Sequence, residues 1–263
     1  MYKEIEKFKE KVKGITLLNV RRKSKHPASD IYYLGHHKCA SNWMRKFMYE
    51  ICQIISYNYI VFGGDSSKNI ASRWRHHTCY LYVNSTTEHL ESVPSHARGF
   101  HLIRDPRDVL VSDYYSRKNT HRVDTPWKRN LRDYLVAHDL EEGLLHMLDH
   151  CTYYEQIDGW NLGSRSNILD VRYEDLLVDE IGVFRKILQH LHISIPAEAL
   201  QDIIESCSFK AMSGGRARGV EDQHSHYRKG MAGDWQLYMP KGGTVYKAFN
   251  NRFGRRLHSL GYE

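Results

Sequence analysis

Three short segments carry side chains able to hold anions, and they lie far apart in the chain. The first, GHHKCASNWM at 35–44, follows the apolar run IYYL at 31–34. A strand that enters a tight loop and then a helix presents free backbone N–H groups and the positive end of the helix dipole, and Lys38 adds a cation there. A loop of the G-x-x-x-x-G-K-[ST] kind, which holds a nucleoside triphosphate with magnesium, needs a second glycine and a hydroxyl residue directly after its lysine. Cys39 follows Lys38 instead. The segment therefore points to an anion site without magnesium, or to one of the many such corners in α/β domains that hold nothing.

The second segment, HLIRDPRDVLVSDYYSRKN at 101–119, is another strand running into a helix. Asp105 is expected to cap, Pro106 to take the first helical position and Asp108 to act as the capping partner. Arg104 stands at the strand end, and Ser112 follows about two turns along the helix. A guanidinium and a hydroxyl so placed can grip one phosphate, unless Arg104 pairs with Asp105 or Asp108 as part of the fold. The third segment, HYRKGMAGDWQ at 226–236, sets Arg228 and Lys229 beside Gly230 and Gly233. It reads as a flexible loop that closes over an anion, or as a solvated turn.

Elements must bring these segments together. Short apolar or β-branched runs at 31–34, 79–83, 100–103 and 168–171 predict strands. A helix is expected over 179–190, where Ile181, Phe184, Ile187, Leu188 and Leu191 share a face behind a capping Asp179. Another opens with Pro196 in the first position and turns Leu200, Ile203 and Ile204 inward. This alternation predicts an α/β fold: one domain over 1–263, a central parallel sheet flanked by helices, and ligands at the C-terminal strand ends. Residues 1–28 form a basic segment before the first core strand, with NVRRKSKH at 19–26 expected as a solvated basic face. The Gly/Ser/Arg-rich stretch 212–223 is expected to be a mobile surface loop.

The 41% apolar and 26% charged content is that of a soluble globular chain. No stretch approaches the roughly 18 apolar residues of a membrane span, and the charged N-terminus lacks a secretory signal, so a cytoplasmic location is expected. Five scattered cysteines without a C-x-x-C pair argue against a disulfide framework or structural zinc and predict reduced thiols. His146 and His150 stand at i, i+4, but HMLDH lacks the glutamate of H-E-x-x-H, and no metal is expected. The net charge of +7 calls for an anionic partner. A nucleic acid would explain the charge but not the spacing of Arg104 and Ser112, so none is expected.

Taken together the three segments, with RYEDLLVDEIGVFRKILQHL, SCSFKAM and RKGMAGDW, resemble cytosolic-type sulfotransferases, and the match runs over most of the chain from Ile31 to Trp235. The resemblance implies a P-loop-kinase-like three-layer sandwich and an enzyme that moves the sulfuryl group of 3′-phosphoadenosine 5′-phosphosulfate (PAPS) to a hydroxyl, or less readily an amine, of a small molecule. The product is 3′,5′-adenosine diphosphate (PAP), and no metal takes part. By the same resemblance Lys38 binds the transferring group and the bridging oxygen. Cys39, Ala40, Ser41 and Asn42 form the loop around the phosphosulfate. Trp43 and Phe209 sandwich the adenine, and Tyr173 lies near it. Arg104 and Ser112 hold the 3′-phosphate, completed by Arg228, Lys229 and Gly230.

The chain departs from the family pattern at two places. Ala40 replaces a loop glycine, which is awkward if that residue has a positive φ. The K-T-H histidine that deprotonates the acceptor is missing from YLYVNSTTEHLESVP, and the candidate bases nearby are Glu88, His89 and His77. KGGTV at 241–245 is one residue short of the family's dimerisation segment, leaving monomer and homodimer both open. The acceptor pocket is expected from 57–74, 114–135 and 212–227, where Trp74, Trp127 and His121 suit an aromatic or amphiphilic molecule. Two other readings remain: a phosphoadenosine-binding protein that has lost transfer, and a nucleotide or sugar kinase using magnesium-ATP.

Overall fold

The computed structural model describes residues 17–63, 69–73 and 75–262. Five strands, β1 (Ile31–Gly35), β2 (Asn58–Phe62), β3 (Thr78–Tyr82), β4 (Arg98–Ile103) and β5 (Ile168–Arg172), form one parallel sheet in the order β2-β3-β1-β4-β5. Four of them fall within two residues of the runs that predicted them. The edge strand β2 has no such signal, because only Tyr59 and Val61 of its five residues are buried.

Because side chains alternate across a strand, each strand feeds two cores. Ile31 and Tyr33 of β1, Leu81 of β3, Phe100 of β4 and Val171 of β5 pack on one face, against the helices Ser41–Ile55, Glu180–His190 and Ala197–Cys207. Tyr32, Leu34 and Ile103 point to the other, against Pro106–Tyr115, Leu140–Met147 and Thr244–Ser259. Burial on both faces is why the strands read as apolar runs.

Local expectations hold with three adjustments. Asp179 Oδ1 accepts from Gly182 N at 2.9 Å and opens Glu180–His190 as its periodicity predicted. Pro196 is extended (φ −54°, ψ 143°) and sits just before Ala197–Cys207, in the capping position and not the first helical one. The 19–26 segment is not simply a solvated face: Val20 is 3% exposed within the core, and Arg21 donates to the Gln53 carbonyl. The stretch 212–223 is irregular but tied down, since Arg216 donates to the carbonyls of Val220, Tyr227 and Arg228 and Arg218 pairs with Glu180.

The topology sets the site. From β1 the chain crosses outward to β2, whereas from β3 it crosses over β1 to β4, so the connections leaving the C-terminal ends of β1 and β3 diverge. Such a divergence opens a crevice.

Candidate active site

A cavity of about 300 Å³ occupies that crevice. Lys38, Ala40, Ser41, Asn42, Trp43, Arg104, Ser112, Tyr173, Phe209, Arg228, Lys229 and Gly230, all singled out from the sequence, line it. Cys39 alone of that set does not. Its side chain is wholly buried in the second core, and its N–H is already taken by the His36 carbonyl at 3.1 Å.

The Lys38 loop is made by backbone that β-carbons disfavour. Lys38 (φ 61°) and Ala40 (φ 54°) are both left-handed, so the glycine-like conformation is present at Ala40 without the glycine. Ala40 gives its carbonyl to Trp43 N and Met44 N but caps with no side chain, and the first turn of Ser41–Ile55 carries no acidic residue. The N–H groups of Ser41 and Asn42 precede the first intrahelical bond and open at the cavity. Burial lowers the Lys38 ammonium to about 8, with Asp113 opposing the drop and Arg104 and Arg117 adding to it. It is thus a cation poised to regain its ordinary basicity when an anion arrives.

Arg104 is held at the end of β4 by the Lys38 and Met231 carbonyls at 3.3 and 3.1 Å and lies over the Tyr173 ring at 4.6 Å. Its approach to Asp108 is a loose 4.0 Å, while Arg107 takes Asp105 at 2.8 Å. Asp105 caps its helix as expected, accepting from Arg107 N. Asp108 is not a capping partner: its carboxylate accepts from Gly233 N at 2.7 Å and Trp235 N at 2.9 Å and so clamps the late loop onto the Pro106–Tyr115 helix. That clamp brings the third segment to the cavity. There Asp234 pairs with both Arg228 and Lys229, and Glu221 also pairs with Arg228. Gly230 has φ 69°, and a Cβ there would lie 2.5 Å from the Phe209 ring.

Trp43 Nε1 and two further polar atoms of the cavity lining are orphaned. Arg104 Nε and Ser116 Oγ are buried with no hydrogen-bond partner among the described residues. Ser116 sits four residues after Ser112, a spacing that puts both hydroxyls on one side of the helical run. The aromatic end is built by Trp43, whose ring packs edge-on against Phe184 and Tyr173, with the Arg218 guanidinium over it at 4.9 Å.

The three bases suggested by the sequence stand elsewhere. His89 Nδ1 caps Thr86 N at 3.1 Å, Glu88 is exposed, and His77 packs on Tyr57 at the other end of β3. Three histidines that do line the cavity are His37, His121 and His226. Of these His121 was singled out as part of an acceptor pocket, and His226 falls in the stretch 212–227 expected to line it. His37 precedes the loop lysine and carried no signal of its own. Trp127 lies outside the cavity lining, and Trp74 outside the described residues.

A chain that pairs a lysine loop after β1 with an arginine after β4 is comparable with known proteins over most of its length. Residues 29–261 match the model of the sulfotransferase domain, and the chain belongs to that family. It is 32% identical over 168 residues to mouse sulfotransferase 2A6, an alignment covering 60% of this chain and 56% of that protein. The chain spans about half the length of the curated relatives it matches. Among solved structures it superposes on mouse sulfotransferase SULT7A1 complexed with PAP (TM-score 0.54, 19% identity, 92% of this chain and 88% of that one). It also superposes on retinol dehydratase in a complex with retinol and PAP (TM-score 0.51, 16% identity, 91% and 84%). These likenesses show the fold: a single α/β domain of the P-loop-kinase-like kind.

Proposed function

We propose that this chain transfers the sulfuryl group of PAPS to the hydroxyl of a small molecule. The observation that carries the reading is the pairing of two separated cationic places in one cavity with an aromatic end between strand-end loops. PAPS has a phosphosulfate at one end and a 3′-phosphate at the other, and the orphaned Arg104 Nε and Ser116 Oγ are what a bound phosphate would satisfy. The residues present therefore fit the nucleotide. When bound it supplies the sulfuryl group and a phosphate leaving group.

The chain's own residues do the rest. Arg104, Ser112 and Ser116 fix the 3′-phosphate, and Arg228 and Lys229, paired with Asp234, add positive charge at the same cavity. Trp43, Phe209 and Tyr173 hold the adenine. Lys38, with the N–H groups of Ser41 and Asn42, neutralises charge that grows on the bridging oxygen as transfer proceeds, which lowers the barrier more than it strengthens ground-state binding. Dependence on alignment and charge neutralisation is what phosphoryl transfer also requires, here without a metal.

The acceptor side is lined by Asn84, Thr120, Tyr227 and the three histidines, a mixed polar and aromatic wall suited to an amphiphilic or aromatic alcohol or phenol. Retinol, in the retinol dehydratase complex, is an alcohol of this type. Five buried thiols, none in a disulfide, support a reducing, cytoplasmic setting. Among the described residues no helix is long and apolar enough to cross a membrane.

Calorimetry with PAP, 5′-AMP and magnesium-ATP tests the donor without an acceptor. Preference for PAP, lost in Arg104→Ala, is expected. Preference for magnesium-ATP would overturn the reading in favour of a kinase.

A further inference from the structure

The histidines in the cavity differ in what holds them. His37 Nε2 lies 2.7 Å from Asp113 Oδ1, and the carboxylate is wholly buried while the imidazole is 15% exposed, on the cavity side. Asp113 Oδ1 also accepts from Arg117 Nε at 3.2 Å. Burial pushes the Asp113 carboxyl up, but His37, Arg117 and Lys38 outweigh it and hold it well below the usual carboxylate range. An ionised Asp113 accepts only, so His37 must donate from Nε2, and in its neutral form Nδ1 keeps a lone pair. The His37 backbone N–H is fixed by Gln156 Oε1 at 2.9 Å, so both ends of the residue are pinned.

We propose that His37 is the general base for the acceptor hydroxyl, with Asp113 as its positioning residue; this rests on the sulfotransferase reading above. The base thus comes from the lysine loop itself, one residue before the charge-neutralising Lys38, and not from the end of β3. The acceptor oxygen forms a bond to the transferring sulfur as the bond from sulfur to the 5′-phosphate oxygen breaks and leaves its electron pair there. The acceptor proton passes to His37 Nδ1, and the imidazolium is stabilised by Asp113.

The competitors are weaker. The ring of His121 meets that of His37 edge-on at 6.1 Å, and among the described residues it has no carboxylate partner. Burial first, then Arg117 and His37, lower His121 to about 4; burial, Lys38 and His37 do the same to His226. Both stay neutral near pH 7 but are poor proton acceptors. The charged and titratable groups around His37 are Asp113, Arg117, Lys38, His121 and His226.

The first test needs no acceptor. Nitrogen-detected NMR of the PAP complex should show neutral His37 protonated on Nε2 with a bare Nδ1, and Asp113→Asn should disturb that tautomer. A proton on Nδ1 instead would overturn the assignment. Kinetics with PAPS then compare phenol with the far more acidic p-nitrophenol. His37→Asn should keep PAP affinity within about twofold and lose about 10²–10⁴-fold in turnover of phenol, with a much smaller loss for p-nitrophenol. Imidazole in the buffer should partly rescue His37→Ala. Equal turnover of both phenols by wild type and His37→Asn would sink the base while leaving the transferase reading intact. Failure of the wild type to bind PAP at all would remove both.

Discussion

The donor half and the acceptor half of the cavity are built on different principles. Lys38, Arg104 and Tyr173 each stand within three residues of a strand end, at β1, β4 and β5. The sheet itself sets their separation. His37 and Asn84 aside, the acceptor wall comes from places no strand fixes: Thr120 and His121 at the end of a π-helical turn, and Gln223, Ser225, His226 and Tyr227 in the loop ahead of Arg228. A ligand with fixed anions at fixed spacing can be met by residues on a rigid frame, whereas an acceptor pocket can be recut by loops without disturbing it.

The largest effects should fall on the donor half and should separate binding from chemistry. Lys38→Ala is expected to lower turnover by about 10²–10³-fold with a smaller loss in PAP affinity, because its charge matters most as the bridging oxygen ionises. Arg104→Ala should reverse that pattern and weaken PAP by about 10²-fold, the usual cost of removing one partner of a buried charged contact. Calorimetry and steady-state kinetics on both variants check this. The matching change across the cavity, Asn84→Ala, should leave PAP affinity within about twofold and move only the acceptor KM. Similar PAP losses from Asn84→Ala and Arg104→Ala would erase the division into halves.

Gly230→Ala probes the backbone of the donor half. At φ 69° an alanine is strained, and its Cβ would meet the Phe209 ring at 2.5 Å. A loss of about 1–2 kcal/mol in thermal stability is expected from the backbone alone. PAP affinity should fall as well, because the ring that must shift is one wall of the adenine site. Full affinity in spite of the stability loss would show that Phe209 has room to move, and full stability would show that the backbone at Gly230 is not strained by a β-carbon.

This contrast also explains what could be read in the sequence. Lys38, Arg104 with Ser112, and Arg228 to Gly230 were legible because strand-to-helix corners and glycine-flanked basic pairs are local patterns. Asp108 was read wrongly as a capping partner, since its bonds to Gly233 and Trp235 span 125 and 127 residues. Ser116 could have been found from its spacing of four after Ser112. His37 could not, because the carboxylate that distinguishes it lies 76 residues away in sequence. β2 was lost for a different reason: an edge strand with two buried side chains has little apolar periodicity to show.

Solution pH should shift the donor half in a definite direction. Protonated Lys38 attracts the ligand, and its ligand-free ammonium is lowered to about 8 by burial. PAP affinity should be flat below that value and fall by up to about tenfold toward pH 9, because one proton must then be taken up on binding. For the ligand-free fold the sign is opposite. A lysine whose folded value is depressed destabilises the fold while charged, so stability should rise as pH climbs from about 8 toward the ordinary lysine range. Lys38→Met should abolish both trends, as followed by calorimetry and thermal unfolding across pH 7–10.

The smallest effect concerns Ala40. Its left-handed backbone (φ 54°, ψ 30°) carries a β-carbon penalty of about 1–2 kcal/mol that a glycine would not have. Against this, glycine gains about 0.5–1 kcal/mol of conformational freedom in the unfolded chain. The difference is about 0–1.5 kcal/mol in favour of glycine, so Ala40→Gly should raise stability by no more than about 1.5 kcal/mol, and PAP affinity should hold because Ala40 contributes backbone and not side chain to the loop. An increase well beyond that in chemical denaturation would mean that the Lys38 loop stores strain, with Lys38 at φ 61° the next residue to carry it. A decrease would mean that the Ala40 methyl, packed against the first core, contributes more to the loop than its backbone strain costs.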